Sequence, residues 1–405
     1  MGEYSDADSV YQEPAILDLA TNWSEVKKAR RIVIKIGSNL LTGGGATLDR
    51  EWIGARCQEI SHILHSGRQV VVVTSGAVAA GAPRLGLTGK PKNLVEKQAA
   101  AAAGQGVLMG CYEEAFHRHG RYVAQILLTR DDVSHRRRYL NARGTLETLL
   151  GLGLVPIVNE NDTVMVEELK FGDNDTLAAL VAGLIGADLL ILLTDVDGLY
   201  PVDPRQNPDV RLIPLVAQVT PDIEAMAGGI GSQVGSGGMM TKLAAARMAA
   251  RYGCRTVLAP GRSFKTPLHR ILLSQGEQLG TLFLAEATDP IRHRKRWIAN
   301  ALSSKGFLDL DFGAVTALRR GKSLLAPGII AVEGQFDRGD AVYCRAPDGE
   351  CIAKGLVHYA AEHLKQIIGC QSSAFETILG FMGEEEIIHR EDMVLLTQTV
   401  KPLSV

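Results

Sequence analysis

Apolar and polar positions along this chain change in blocks. Arg31–Ile36 (Arg-Ile-Val-Ile-Lys-Ile) is a β-branched run closed by glycine, the pattern of a strand buried on both faces. Over residues 49–65, Trp52, Ile53, Ile60, Ile63 and Leu64 recur at helix-like spacing, with Asp49 standing where an N-cap belongs. Gln69–Val73 reads as a second strand, and the device repeats: helix 98–116, strand 122–128, helix 141–150, strand 154–158, helix 176–185, strand 188–193. Alternation of this kind predicts a parallel sheet covered on both faces. A glycine-rich stretch, 228–238, leads into an amphipathic helix over Met239–Arg251, and 256–258 adds a strand. From about Arg292 the alternation stops. Short strand-like pieces at 329–332 and 341–344, with turns such as Pro347-Asp-Gly349, predict a second, smaller, mainly β domain. The expected fold class is therefore α/β, after a polar, loosely ordered lead of about thirty residues.

Size agrees with this division, because 405 residues exceed what one core usually supports and 46% hydrophobic content suffices for two. A formal net charge of -2 gives no general pull toward nucleic acid or an anionic membrane. Six cysteines without a C-x-x-C spacing fit a reduced, cytoplasmic setting. The first 25 residues carry six acids and no Lys or Arg, which argues against a secretory or transit signal. The longest apolar stretch, 177–193, is broken by Gly183, Gly186 and Asp188, so it reads as a buried helix and strand; no membrane span is expected.

Two polar clusters carry the chemistry. Asn159-Glu-Asn-Asp162 and Gly172-Asp173-Asn174-Asp175 suit a small ligand charged at both ends, since a carboxylate reads an ammonium group and an amide reads a carboxylate. Each acid alone is as well explained as a helix cap; together, among strand ends, they make a composite site the better reading. Lys35 ends the first strand before Gly37-Ser38, where phosphate oxygens meet lysine and free amides in parallel sheets, although a snorkelling lysine fits the same position. Thr74-Ser75-Gly76 and Thr194-Asp195 close two further strands and leave substrate contact and capping both open. Ser236-Gly237-Gly238-Met239-Met240-Thr241-Lys242 is the strongest phosphate element, with glycine amides at a helix start and a lysine on its first turn. Neither G-x-G-x-x-G nor a Walker A motif is present, because Thr316 stands where the first glycine before Gly321-Lys-Ser323 belongs. No H-E-x-x-H occurs, and no protein metal site is expected. The basic run Arg292–Arg296 reads as a solvated linker before it reads as an RNA contact.

Taken in order, Lys35-Ile-Gly-Ser38, Val73-Thr-Ser-Gly-Ala77, Asn159–Asp162, Gly172–Asp175, Leu193-Thr-Asp195 and Gly237-Gly-Met-Met-Thr-Lys242 resemble the amino acid kinase family, and within it the glutamate 5-kinases. The segment 323–396 resembles a PUA domain. This resemblance implies an N-terminal extension at 1–30, a catalytic domain at 31–290, a linker at 291–322 and a PUA-like domain at 323–400. It also implies ATP-dependent phosphorylation of the γ-carboxylate of L-glutamate, with ATP and Mg²⁺ required and no direct metal ligand from the protein. Carried over by position, Lys35, Lys242 and Asp175 would be catalytic, with Asp175 orienting the two lysines. Ser75, Asp162, Asp173 and Asn174 would hold glutamate, while Lys35, Gly37, Thr194, Asp195 and the residues from Ser236 to Lys242 would hold ATP. Where the family usually has Thr-Gly-Gly-Met-Ser-Thr-Lys, Ser236 keeps a hydroxyl and Met240 lacks one. Further implications are a cytoplasmic homo-oligomer and proline as a feedback inhibitor. The alternatives left open are an aspartate or N-acetylglutamate kinase, or an RNA-binding protein acting through the PUA-like tail.

Overall fold

A computed structural model describes residues 19–396, apart from 88, 90, 130, 131, 133–135, 165–173, 205, 208, 228–237, 275, 277, 287–303 and 382. The described residues form two compact units. The first takes in the chain up to Thr129, Leu149–Ala250 and Cys254–Ala285, and the second takes in Arg130–Thr148, Arg251–Gly253 and the part from 286 onward.

In the first unit, β1 (Arg31–Ile36) is buried at every position but the first, as its unbroken apolar run demands. It pairs in parallel with β2 (Gln69–Val73) on one side and β5 (Leu189–Thr194) on the other, so Lys35 lies level with Val73 and Leu192. With β3 (Val123–Leu128), β4 (Val155–Glu160), β6 (Leu215–Val216), β7 (Arg255–Pro260) and β8 (Thr281–Phe283), the described residues give a sheet ordered β3-β4-β2-β1-β5-β7-β8-β6. Among these strands β8 and β6 depart from the expected parallel sense: β8 runs antiparallel to β7, and β6 runs parallel to β8. The carboxyl ends of β1, β2, β4, β5 and β7 therefore share one edge, and the turns that leave it carry the polar motifs.

Helices cover the sheet. Asp49 caps the helix Arg50–His65 as its position foretold, accepting from the Trp52 amide at 3.0 Å. The helix Leu94–His117 starts earlier than expected because the Asn93 side chain accepts from the Glu96 amide. A short helix, Ala77–Gly81, was not expected, since five small residues show no period. It lies against the long helix backbone to backbone: a Cβ on Gly104 would stand 1.9 Å from the Ala77 carbonyl oxygen, and one on Gly81 would stand 1.8 Å from that of Ala100. Part of the polar lead is also ordered. The helix Leu19–Lys27 buries Trp23 and Val26 in the core of the first unit, so apolar residues in a polar context outweigh the average polarity of the segment.

In the second unit, β9 (Ser304–Leu310), β11 (Ile329–Gly334), β12 (Ala341–Arg345), β13 (Cys351–Leu356) and β15 (Met393–Leu395) form a sheet ordered β11-β9-β12-β13-β15, and β10 (Leu324–Leu325) pairs with β14 (Glu386–Ile388). Residues 304–319 fall within the expected linker, yet they form β9 and the helix Phe312–Arg319, whose Val315 and Leu318 enter the same core as β9's Leu308 and Leu310. The turn Pro347-Asp-Gly349 lies between β12 and β13, with Gly349 at φ +85°. The basic run Arg292–Arg296 lies outside the described residues.

Candidate functional site

Lys35 leaves the end of β1 and Lys242 leaves the first turn of the helix Met239–Arg251; both side chains are over 90% buried. Their ammonium groups converge on one carboxylate. Lys35 Nζ pairs with Oδ1 of Asp175, and Lys242 Nζ lies 3.3 Å from Oδ2. The Thr241 hydroxyl donates to the same Oδ2 at 3.0 Å and also lies 2.7 Å from the Gly238 carbonyl oxygen. Asp175 is the second residue of the helix Asn174–Ile185 and is fully buried. Burial alone would raise its carboxyl pKa, but the two ammonium groups and their hydrogen bonds outweigh it and hold the pKa below the usual value. Two ammonium groups gathered at one buried carboxylate suit a site for an anionic ligand.

One residue earlier in the same helix, Asn174 turns to a different set of partners. Its Nδ2 lies 2.5 Å from the Thr74 carbonyl oxygen, 2.9 Å from Ser75 Oγ and 3.0 Å from Asn159 Oδ1. The end of β2, the end of β4 and the start of this helix are thus tied together. Behind them the Thr74 hydroxyl meets the Tyr112 hydroxyl at 2.8 Å, inside the core. Asp162 opens a single 3-10 turn after β4 and pairs with Lys97 of the helix Leu94–His117 at 3.3 Å. Its carboxylate has no contact with Asn174 among those the structure gives.

Thr194 ends β5, donates to its neighbour Asp195 at 3.1 Å, and accepts from the Gly261 amide at 2.7 Å. Gly37 is extended, at the start of the helix Ser38–Thr42, 3.7 Å from Lys35 Nζ measured from an added Cβ. Gly238 and Met239 are half-buried at the start of their helix, and Met240 is exposed. Asp173, Ser236 and Gly237 lie outside the described residues. Sequence reasoning did not single out Gln105, Tyr112 or Lys97 as parts of this site. All three sit on the alanine-rich helix, whose pattern reads as packing, and no local signal marks them. Among the described residues, no group of three or more His, Cys, Asp or Glu side chains could hold a metal, and no helix is long and apolar enough to cross a membrane.

The family model described as the amino acid kinase family matches residues 30–259, and the PUA domain model matches residues 307–379. Glutamate 5-kinase of Geobacter sulfurreducens is 51% identical over 92% of this chain and 99% of its own; that of Ectopseudomonas mendocina is 51% identical over the same shares. This chain belongs to the amino acid kinase family, among the glutamate 5-kinases. A solved UMP kinase from Bacillus anthracis covers 64% of this chain and 97% of its own at 18% identity and a TM-score of 0.43, too loose a likeness to bear on the site. Within the family, the order amino acid kinase unit followed by β-rich PUA unit accounts for the two sheets described above.

Proposed function

We propose that this glutamate 5-kinase transfers the γ-phosphoryl group of ATP to the γ-carboxylate of L-glutamate, giving γ-glutamyl phosphate and ADP, the first step of proline biosynthesis. One observation carries the reading: Asn174 and Asp175 are consecutive, and one faces the Ser75–Asn159 side while the other holds Lys35 and Lys242. A donor site for phosphate and an acceptor site for a polar ligand are thus built on the same helix start.

No general base is required, because a glutamate side chain with a pKa of about 4.3 is already ionised at neutral pH. The barrier is repulsion between two anions. Lys35 and Lys242 oppose it by neutralising the phosphoryl oxygens, and the amides of the glycine-rich stretch before Met239 would add donors. Asp175 holds both ammonium groups aimed at one point. Thr194, Asp195, Gly37 and the residues from Ser236 to Lys242 hold the nucleotide; Ser75, Asp162, Asp173 and Asn174 hold glutamate. Bound Mg²⁺ would supply positive charge that offsets the charge of the phosphate groups. Its ligands would come mainly from ATP and water. We also read the enzyme as a cytoplasmic homo-oligomer inhibited by proline at or near the glutamate site, with residues 31–290 as its catalytic part.

The test is an assay with ATP and Mg²⁺ in which hydroxylamine traps acyl phosphate, run across glutamate, aspartate and N-acetylglutamate. Hydroxamate from glutamate alone supports the reading. Hydroxamate from either rival substrate and none from glutamate would replace it.

A further inference from the structure

A line of side-chain amides runs through the first unit from the surface to the substrate side of the site. Gln105 Nε2 donates to Gln125 Oε1 at 3.2 Å, Asn159 Nδ2 donates to Gln105 Oε1 at 2.9 Å, and Asn174 Nδ2 donates to Asn159 Oδ1 at 3.0 Å. Two backbone groups fix the direction of this line. The Glu160 amide can only donate, and it lies 2.9 Å from Asn159 Oδ1, so the oxygen of Asn159 must face it. The Thr74 carbonyl can only accept, so the nitrogen of Asn174 must face it. Asn159 then turns its own NH₂ toward Gln105, which must answer with an oxygen.

The consequence lies at the far end. Both N–H groups of Asn174 are committed to Thr74, Ser75 and Asn159, whereas its Oδ1 is buried and has no hydrogen-bond partner. A buried acceptor without a donor is unfavourable, and a donor carried by a ligand relieves it. Asn174 therefore offers an acceptor to the cationic end of an amino acid, not an N–H to its carboxylate.

We propose that Gln105 is a positioning residue for the substrate site. By accepting from Asn159 Nδ2 it holds in place the Asn159 amide, whose polarity the Glu160 amide sets, and so keeps the Asn159–Asn174 pair presenting Asn174 Oδ1 to the α-ammonium group of the substrate. The identity of that substrate rests on the function proposed above; the polarity of the amide line does not.

Gln105→Met keeps the size and removes the acceptor, and Gln105→Glu keeps the acceptor. The expected result is that Q105M raises the KM for glutamate about tenfold, the worth of one net hydrogen bond, and changes kcat and the KM for ATP by less than about threefold. Q105E should stay within about threefold of the parent on all three. A mere filling role would give the reverse order, because Met packs as well as Gln and a carboxylate packs worse. A second readout needs no turnover: hydrogen exchange of the Asn174 side-chain amide, followed by NMR in asparagine-labelled protein without substrate. Exchange should be faster in Q105M than in the parent and Q105E. Should Q105M not fold, Gln105→Asn withdraws the acceptor by one methylene and takes its place in both measurements. Equal exchange in all variants, or an unchanged KM in Q105M, overturns the proposal. If the parent forms no hydroxamate from glutamate, the proposed function fails while the exchange rates still judge Gln105.

Discussion

Lys35, Asp175 and Lys242 come from three distant parts of the chain and meet within one hydrogen-bonding distance, and their value lies in that coincidence. Lys242→Ala should lower kcat about a hundredfold and raise the KM for glutamate far less, because its charge matters most as the phosphoryl group moves. Steady-state kinetics decides this, and unchanged turnover would remove Lys242 from the reaction. Asn174→Ala should do the opposite, weakening glutamate capture first; a loss confined to ATP affinity would show the residue assigned to the wrong ligand. Asp175 also carries a stability signature. Its folded pKa lies below the unfolded value of about 3.9, so its contribution is fully present above that pH and is lost as pH falls through the folded value. Breaking a buried ion pair typically costs about 3–5 kcal/mol. Asp175→Asn should therefore lower the urea midpoint clearly at pH 7, with the gap from the parent closing in acid below pH ~4. The residue types of this site were legible in the sequence. The spacing of Lys35, Asp175 and Lys242 in the chain holds no information on which of them touch; only the family resemblance implied that Asp175 orients the two lysines.

Among the elements, the long strongly patterned ones were legible and the short ones were not. Met239–Arg251 matches its sequence expectation end to end because it is amphipathic and follows a glycine stretch. Ala77–Gly81 has no pattern of its own; it is helical because Gly81 and Gly104 let two backbones touch. That crossing stands directly after Thr74 and Ser75, which Asn174 binds. Gly104→Ala places a methyl against a carbonyl that cannot swing aside, and should cost about 3 kcal/mol, the upper part of the overpacking range. It should also raise the KM for glutamate by pushing Ser75 off Asn174. Thermal unfolding and kinetics together check this, and a variant with the parent's melting temperature would show that the helices can part at little cost. The linker expected at 291–322 differs from the observed β9 for a similar reason. Ser304–Leu310 alternates polar and apolar residues only briefly, and its place between β11 and β12 is set by partners from later in the chain.

For the whole molecule, the net charge of -2 bears on the PUA unit. Binding to RNA by phosphate contacts needs a basic surface and weakens steeply with salt. Filter binding with the intact protein should show no retention of RNA that falls steeply between about 50 and 200 mM salt; such a fall would assign the second unit an RNA role. The division into an α/β unit and a β-rich unit was open to inspection in the sequence, because burial on both faces demands unbroken apolar strands and helical periodicity demands covering helices. The chain alone thus determined the long strands and helices of the first unit, their order and the residue types able to meet phosphate and an amino acid. The tertiary structure decided what contact alone can decide: the reversal of β8, the burial of Trp23, the meeting of two lysines on Asp175, and the polarity of Asn174. Each depends on groups far apart in sequence, and hydrogen-bond direction and charge pairing exist only once those groups share a place.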